Sequence, residues 1–498
     1  MLDKTQIEIT KAKVNKMKNS KRKLHGLMLL SLLTLSGLVG ATQPIPAAWF
    51  ETFKQQASPE QLYDFLYLLP KGGDLHNHLS GSNFSEWWFE LATDQQINGG
   101  YRYYTQIFAN MCQNGNALEF SSIGNFLAFR NIQHSHYEQL GECEKSQYKA
   151  LNELNSAEKQ GWLNSIRLDK SGEGRDEFFE KHWPRLNELM NNPYIQAALL
   201  VKNMQAFGQE NLVYLETQVG ARNMLRADGS FFEPADVVDI YRQRLAQKDA
   251  LSSGVTTRLQ YTLLRFTPDA EQQLEWIYRF VDQNRDLYVG INMAGREDND
   301  KGYPLRFLST LRKLRSTLPA VDLAIHAGEV DEPNFHVRDT LLLGATRIGH
   351  GVNLIDDPQT MLLMRNGQAM VEINLVSNFL LEYINDYSQH PFPEYLRTGI
   401  PVALSTDDRG MWDSTMTDEY YVAVKQFNLS WQELIKLGEN SLQYSFVDEK
   451  TKQRLLAQYD ARLEKFIKDF KRQGMNMLKT TQSPKRGFIC QYYSLCKP

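Results

Sequence analysis

Eight short apolar runs, separated by stretches with helical spacing, constrain the fold of this 498-residue chain more than any other feature. The runs lie at 71–79, 212–215, 258–263, 287–291, 321–325, 347–349, 370–373 and 401–404. Helical patterns between them cover 236–249, 270–284, 304–318, 337–343 and 359–366. Strands that alternate with helices build a parallel sheet, because each connection must cross back over the sheet. We therefore predict an α/β fold, a (β/α)8 TIM barrel.

The region 99–175 interrupts this alternation. It contains two of the four cysteines, many Tyr and Asn residues, and a polar run at 170–175 that is typical of a surface loop. We predict an inserted, disulfide-bearing subdomain after the first strand. The other predicted regions are an N-terminal helical segment at 42–70, the barrel at 71–98 and 176–478, and a C-terminal tail at 479–498.

The first 41 residues have the pattern of a cleaved signal peptide. A basic region at 11–23 precedes an apolar run at 27–39, and Val39-Gly40-Ala41 offers small residues for cleavage. The run is shorter than the about 20 residues of a membrane-spanning helix, although an uncleaved anchor is the alternative. We therefore predict a secreted or periplasmic protein with no stable membrane span after cleavage.

The cysteine count agrees with this compartment, and the net charge bears on the partners. The even cysteine count in an exported chain favours disulfides, and we predict the local pairs Cys112–Cys143 and Cys490–Cys496. Four reduced thiols are the alternative. A net charge of −4 excludes a general nucleic-acid binder, which is normally basic, so we predict no nucleic-acid partner.

Two histidines in the first predicted strand suggest a metal site. Alternate side chains of a strand point to the same side, so His76 and His78 converge. His326 and Asp407 follow later strands, and the carboxyl ends of all strands meet at one rim of a barrel. Zinc prefers such nitrogen and oxygen ligands and keeps one position for water when it is catalytic. We predict one Zn²⁺ per chain, held by these four residues.

Further polar residues at the same rim suggest hydrolytic chemistry. Zinc lowers the pKa of bound water from about 15.7 toward about 7, and the reaction then needs a base and an acid. We predict His350 as the base and Glu329 as the acid. Asp408 is predicted to bind substrate, and the backbone N–H of Gly295 to approach a flat ligand.

Simpler explanations exist for some of these residues. Asp407 and Asp408 could cap a helix, and His350 could be a buried structural histidine. His134-Ser135-His136 has no carboxylates in a supporting pattern, so we do not predict a second metal site there. His182, His336 and His390 are predicted to be structural or surface residues.

Five motifs, in chain order, resemble the adenosine deaminase family. They are His76-x-His78, His326-Ala327-Gly328-Glu329, Arg347-Ile348-Gly349-His350-Gly351, Ser377-Asn378 with His390-Pro391, and Ser405-Thr406-Asp407-Asp408. The resemblance implies hydrolytic attack at C6 of adenosine, with release of ammonia and inosine. It further implies that Glu329 protonates purine N1 and that His350 orients and deprotonates the attacking water. Asp408 would hold N7, and the Gly295 backbone would hold N3.

The predicted signal, the insert and Gly295-Arg296-Glu297-Asp298 resemble the secreted branch, the adenosine deaminase-related growth factors. That branch resemblance implies a homodimer. Many intracellular members carry Asp two residues after the second histidine, where it contacts the ribose, but this chain has Ser80 there. The fourth strand also lacks the lysine that bridges two metals in binuclear relatives, which favours one zinc.

Two other functions remain open at this point. One is a metal-dependent amidohydrolase that acts on another 6-aminopurine or on a non-purine substrate. The other is an extracellular nucleoside-binding or signalling protein without turnover.

Overall fold

The computed structural model describes residues 48–108, 130–170, 172–298, 301–330 and 332–496. The predicted signal peptide at 1–41 lies outside the described residues, and so does Cys112. Within these ranges, every helix is too short or too polar to cross a membrane.

Eight parallel strands form one sheet in which neighbours in the sheet are neighbours in chain order. They are β1 (Gly72–Asp74), β2 (Leu212–Gln218), β3 (Thr256–Leu264), β4 (Tyr288–Ala294), β5 (Asp322–Ala327), β6 (Arg347–His350), β7 (Met370–Ile373) and β8 (Val402–Leu404). Beyond the ends of β8 and β1, a parallel bridge joins Asn77 to Asp407. The eight predicted runs therefore all form strands, and the predicted (β/α)8 barrel is confirmed.

Helices flank the sheet. The helices of the barrel and its termini are Ala48–Gln56, Pro59–Leu68, Leu79–Ser82, Ser85–Thr93, Pro193–Gln209, Pro234–Leu245, Lys248–Leu251, Ala270–Gln283, Leu308–Arg315, His336–Leu342, Pro358–Asn366, Leu375–Leu380, Phe392–Thr398, Met416–Phe427, Trp431–Gln443, Glu449–Gln473, Asn476–Lys479 and Gly487–Tyr493. Short 3₁₀ turns lie at Leu151–Glu153, Asn187–Asn191, Pro304–Phe307, Val352–Asp356 and Tyr387–Gln389.

Several segments differ from their predicted boundaries, two of them at and just before β1. The run 71–79 is not one strand: β1 ends at Asp74, and the histidine pair follows in extended backbone. The helical segment before β1 is two helices, because Ser58 starts a new one by accepting a hydrogen bond from the Gln61 N–H. Pro59 then occupies the first helical position, where its missing N–H costs nothing.

The described part of 99–175 has a sheet of its own. Three antiparallel strands, Tyr103–Gln106, Asn131–Gln133 and Tyr148–Ala150, pair in it. Helices in and after this region are His134–Tyr137, Glu142–Lys145, Ser156–Ile166, Arg175–Glu177, the π-helix Phe178–His182, and Trp183–Leu186. The Cys490–Cys496 disulfide is confirmed, whereas the Cys112–Cys143 pair stays a prediction because Cys112 lies outside the described residues.

The barrel interior contains a buried charge network that starts at Arg347. Its guanidinium lies 2.7 Å from Oε2 of Glu216 and 2.7 Å from Oε1 of Glu372, and all three side chains are fully buried. The same guanidinium stacks 3.7 Å from the Phe446 ring centroid. Two carboxylates buried without this cation would carry a large desolvation cost.

We therefore expect R347M to lower the free energy of unfolding by about 3–5 kcal/mol, because it leaves two buried carboxylates without their cation. Denaturant unfolding followed by circular dichroism measures this change. The matched control is R242M, which breaks the exposed Arg242–Asp286 pair and should cost no more than about 1 kcal/mol. Equal losses in both variants would contradict the assigned role of Arg347.

Candidate active site

The structure brings the four predicted metal ligands together at the rim where β1 and β8 meet. The Nε2 atoms of His78 and His326 are 3.2 Å apart. Oδ1 of Asp407 lies 3.2 Å from Nε2 of His78 and 3.5 Å from Nε2 of His76. All four ligand atoms fall within 4.8 Å of one another. Residues that are 331 positions apart in the chain thus form one cluster.

This cluster fits a zinc ion. Ligands about 2.0–2.1 Å from a tetrahedral zinc lie about 3.3 Å from each other, close to the observed spacings. Nε2 of His76 and Oδ1 of Asp407 are buried and make no hydrogen bond within the described residues, although buried polar atoms are normally satisfied. Three imidazoles and one carboxylate are a donor set that zinc prefers.

Outer hydrogen bonds orient these ligands. Nδ1 of His76 lies 2.7 Å from Oε2 of Glu372, and Nδ1 of His326 lies 2.8 Å from Oδ1 of Asn292. The hydroxyl of Ser377 donates to Oδ2 of Asp407 at 2.7 Å. A histidine that gives its Nδ1 proton to such a partner presents the lone pair of Nε2 to the metal.

Sequence reasoning missed Glu372 and Asn292 as partners of the ligands. A signal was nevertheless present, because Glu372 is a charged residue inside the apolar strand β7. A buried charge needs a partner, so an acidic residue at this place indicates either a structural ion pair or a functional site. Only the structure identifies Arg347 and His76 as its two partners.

Two glycines allow the close packing of this rim. A Cβ atom at Gly349 would lie 2.6 Å from Cε1 of His76, and one at Gly81 would lie 1.7 Å from Oδ1 of Asp408. Neither distance is sterically allowed. His350 and Asp407 also adopt left-handed backbone, with φ of +65° and +53°. Such strain in residues other than glycine is concentrated at functional sites.

Glu329 and His350 lie together beside the ligands. Nε2 of His350 is 3.6 Å from Oε1 of Glu329 and 3.9 Å from Oδ2 of Asp407. Burial, with a further contribution from Asp407, raises the pKa of Glu329 well above its usual value. Burial also lowers the pKa of His350 well below its usual value. These directions favour the protonated form of Glu329 and the neutral imidazole form of His350.

The loop that carries Glu329 is held by Glu297, which sequence reasoning did not assign to the site. Its carboxylate accepts the backbone N–H groups of Gly328 and Glu329 at 3.1 and 2.9 Å. Nδ1 of His336 lies 2.7 Å from Oε2 of the same carboxylate. The position of the acid is thus fixed by a buried carboxylate on the loop after β4.

The ligands open into a cavity of about 870 Å³, within the usual range for small-molecule sites. The predicted substrate residues Ser80, Asp408 and Gly295 all line it. Oδ1 of Asp408 is buried there without a hydrogen bond in the described residues, and burial raises the pKa of this carboxyl well above its usual value. Gly295 has φ of +106°, which only glycine adopts freely.

One wall of the cavity comes from the segment after the insert. Phe178, Phe179 and Trp183 line it, and the Trp183 ring lies 6.1 Å from the His78 ring. Phe178 and Phe179 belong to the π-helix Phe178–His182. A π-helical turn is rare and is often found at functional sites.

Comparisons with known proteins identify relatives in sequence and in fold. The adenosine deaminase of Enterococcus faecalis is 30% identical over 193 residues, 39% of this chain and 56% of that protein. The adenosine deaminase of Aedes albopictus is 24% identical over 443 residues, 86% of this chain and 80% of that protein. A Burkholderia ambifaria amidohydrolase solved with bound zinc is similar in fold, with a TM-score of 0.58 and 18% identity over 82% of this chain and 94% of that one.

The family model described as adenosine deaminase matches residues 160–462. This match covers β2 to β8 and therefore includes His326, Glu329, His350, Asp407 and Asp408. Because it spans more than half of the 498 residues, the chain belongs to the adenosine deaminase family.

Proposed function

We propose that this protein is a zinc-dependent deaminase of adenosine or 2′-deoxyadenosine, which releases ammonia and inosine or 2′-deoxyinosine. The observation that carries the proposal is a buried Glu329, whose pKa is raised by burial, beside a zinc-type donor set in one cavity. Family membership supports a purine substrate. We also infer that the protein acts outside the cytoplasm and belongs to the secreted growth-factor branch. The signal pattern at 1–41 and the Cys490–Cys496 disulfide support this inference.

In the proposed reaction, the oxygen of a water molecule bonds to C6 of the purine, and the bond from C6 to the amino nitrogen breaks. Of the two protons of the water, one leaves with the amino group as ammonia and the other replaces the proton that Glu329 gives to N1. His76, His78, His326 and Asp407 would hold one zinc ion. The bound ion would supply Lewis acidity, which lowers the pKa of water from about 15.7 toward about 7.

Glu329 is proposed to donate its proton to purine N1 as C6 is attacked. Attack at C6 places negative charge on N1, and a neutral carboxyl at this place can neutralise it. Burial and the nearby Asp407 keep the pKa of Glu329 high, so the proton is present before the reaction begins. His350, which lies beside Glu329 and the same ligands, is proposed to orient the attacking water.

Asp408 and Gly295 are proposed to select the purine. The raised pKa of Asp408 favours the protonated carboxyl, and its buried Oδ1, which makes no hydrogen bond within the described residues, can then donate to N7. Ser80 would contact the sugar: its hydroxyl oxygen lies 3.4 Å from Nε2 of Gln196 and carries no charge. A neutral contact distinguishes the ribose from its 2′-deoxy form less strongly than a carboxylate does. Both nucleosides are therefore in the proposal.

The substrate is tested by ammonia release from adenosine, 2′-deoxyadenosine, adenine and adenosine 5′-monophosphate at equal concentrations. We expect the two nucleosides to have the highest kcat/KM. Preference for free adenine or the monophosphate would instead support the alternative of another 6-aminopurine. Binding of adenosine without turnover by the zinc-loaded protein would support the alternative of a binding or signalling protein.

The role of Glu329 predicts that E329Q keeps its zinc and loses about 10²–10⁴-fold in kcat, because glutamine cannot donate an acidic proton. Steady-state kinetics with metal analysis measures both quantities. E332Q is the matched control, since Glu332 is an exposed carboxylate three residues further along the same loop. Near-normal turnover of E329Q would remove Glu329 from the mechanism.

Substitution of the two neighbouring aspartates, one at a time, should distinguish metal binding from substrate binding. D407A should lower the zinc content after dialysis, because it removes one of four ligands. D408A should keep the zinc and raise KM, because it removes the proposed contact to N7. Metal analysis and initial-rate kinetics decide the outcome, and unchanged zinc in D407A would refute its role as a ligand.

A further inference from the structure

His350 is held by a series of hydrogen bonds that begins at a backbone donor. The N–H of Phe392 donates to Nδ1 of His390 at 3.1 Å. A ring nitrogen that accepts a hydrogen bond carries no proton, so neutral His390 carries its proton on Nε2. Burial lowers the pKa of His390 to about 3, which keeps this ring neutral.

The direction of the first bond determines the direction of the next two. Nε2 of His390 lies 3.1 Å from Oδ1 of Asn378 and donates to it. The other end of the amide faces His350, with Nδ2 of Asn378 2.9 Å from Nδ1 of His350. An amide NH₂ group only donates, so Nδ1 of His350 is an acceptor.

The proton of neutral His350 is therefore on Nε2, the nitrogen that faces Glu329 and Asp407. Asn374 does not distinguish the two ring nitrogens, because its Nδ2 lies 3.3 Å from one and 3.4 Å from the other. The side chain of His350 is fully buried. Bulk water is thus kept away from Nδ1, where it would compete with Asn378.

We propose that Asn378 and His390 are positioning residues that fix His350 as its Nε2–H tautomer. His350 then presents a hydrogen-bond donor to the attacking oxygen and cannot accept a proton through Nε2. Of the two predicted roles of His350, this retains the orienting role and excludes the role of base. The catalytic consequence depends on the proposed deamination, whereas the tautomer itself does not.

The tautomer is measured directly by long-range ¹H–¹⁵N correlation of the zinc-loaded protein labelled at histidine. The signals of His350 are identified by their absence from the spectrum of H350Q. We expect a protonated Nε2 and an unprotonated Nδ1. The reverse pattern would overturn the proposal, and neither result depends on activity.

N378D tests the catalytic consequence. An ionised carboxylate only accepts hydrogen bonds, so it draws the proton of His350 to Nδ1 and leaves Nε2 bare. We expect kcat to fall at least about 10-fold, and up to about 10⁴-fold, as happens when a catalytic imidazole is held in the wrong tautomer. KM and zinc content should stay unchanged. Wild-type kcat in N378D, with the inverted tautomer seen by NMR, would overturn the proposal.

A pair of substitutions at His390 keeps the proposal testable if N378D does not fold. In H390Q, the side-chain carbonyl can accept the Phe392 N–H and the amide can donate to Asn378, so the direction is preserved. H390L can do neither. We expect H390L to lose kcat and H390Q to recover most of it, at equal zinc content.

Equal kcat in H390Q and H390L would overturn the proposed role of His390 in the series of hydrogen bonds that ends at His350. Failure of the proposed function is a different result: the wild-type protein would release no ammonia from any 6-aminopurine, while the NMR measurement of the tautomer would still stand.

Discussion

The contact on which this structure depends is the one between the chain just after β1 and the chain just after β8. The N–H of Asp407 donates to the carbonyl of His76 at 2.9 Å, and the N–H of His78 donates to the carbonyl of Asp407 at 3.3 Å. These bonds join the first and last strands of the barrel. They also bring two imidazoles and the ligand carboxylate to one place. The seam of the barrel and the metal site are therefore the same few residues.

The second constraint is the polar interior beneath that seam. Glu372 pairs with Arg347 through one oxygen and with His76 through the other, so one carboxylate links the buried charge network to a ligand. Buried polar groups are costly unless each has a partner. Here one partner, Glu372, serves both the buried ion pair of the barrel and the orientation of His76. A change in the network that stabilises the barrel would therefore also reorient His76, one of the four predicted metal ligands.

The site is further defined by the direction of its hydrogen bonds. Backbone N–H groups cannot reverse their role, so the Phe392 N–H determines the proton positions of His390, Asn378 and His350 in turn. In the same way, Glu297 accepts two backbone N–H groups and holds the Glu329 loop. Glu329 and His350, which lie together beside the cluster, are thus oriented by groups that need not touch the substrate.

Much of this could be predicted from the sequence. The alternation of apolar runs and helical patterns determined the barrel, because strand and helix periods differ and parallel strands require crossovers. The position of His76, His78, His326 and Asp407 after strands predicted that these four side chains cluster, because strand ends in such a barrel share one rim. Both inferences depend on the local pattern of apolar residues and on the order of strands and helices, and both of these can be taken from the sequence.

Only the tertiary structure decided which residues serve that site from a distance. Glu372, Asn292 and Glu297 contact the ligands or the acid from separate strands and loops, and no spacing in the chain pairs them. From sequence, His390 is predicted to be a structural or surface residue within a family motif, and only the structure shows its link to His350 through Asn378. Such pairings depend on distances of a few ångströms between residues far apart in the chain. Local sequence patterns constrain which backbone segments form, but they do not specify those distances.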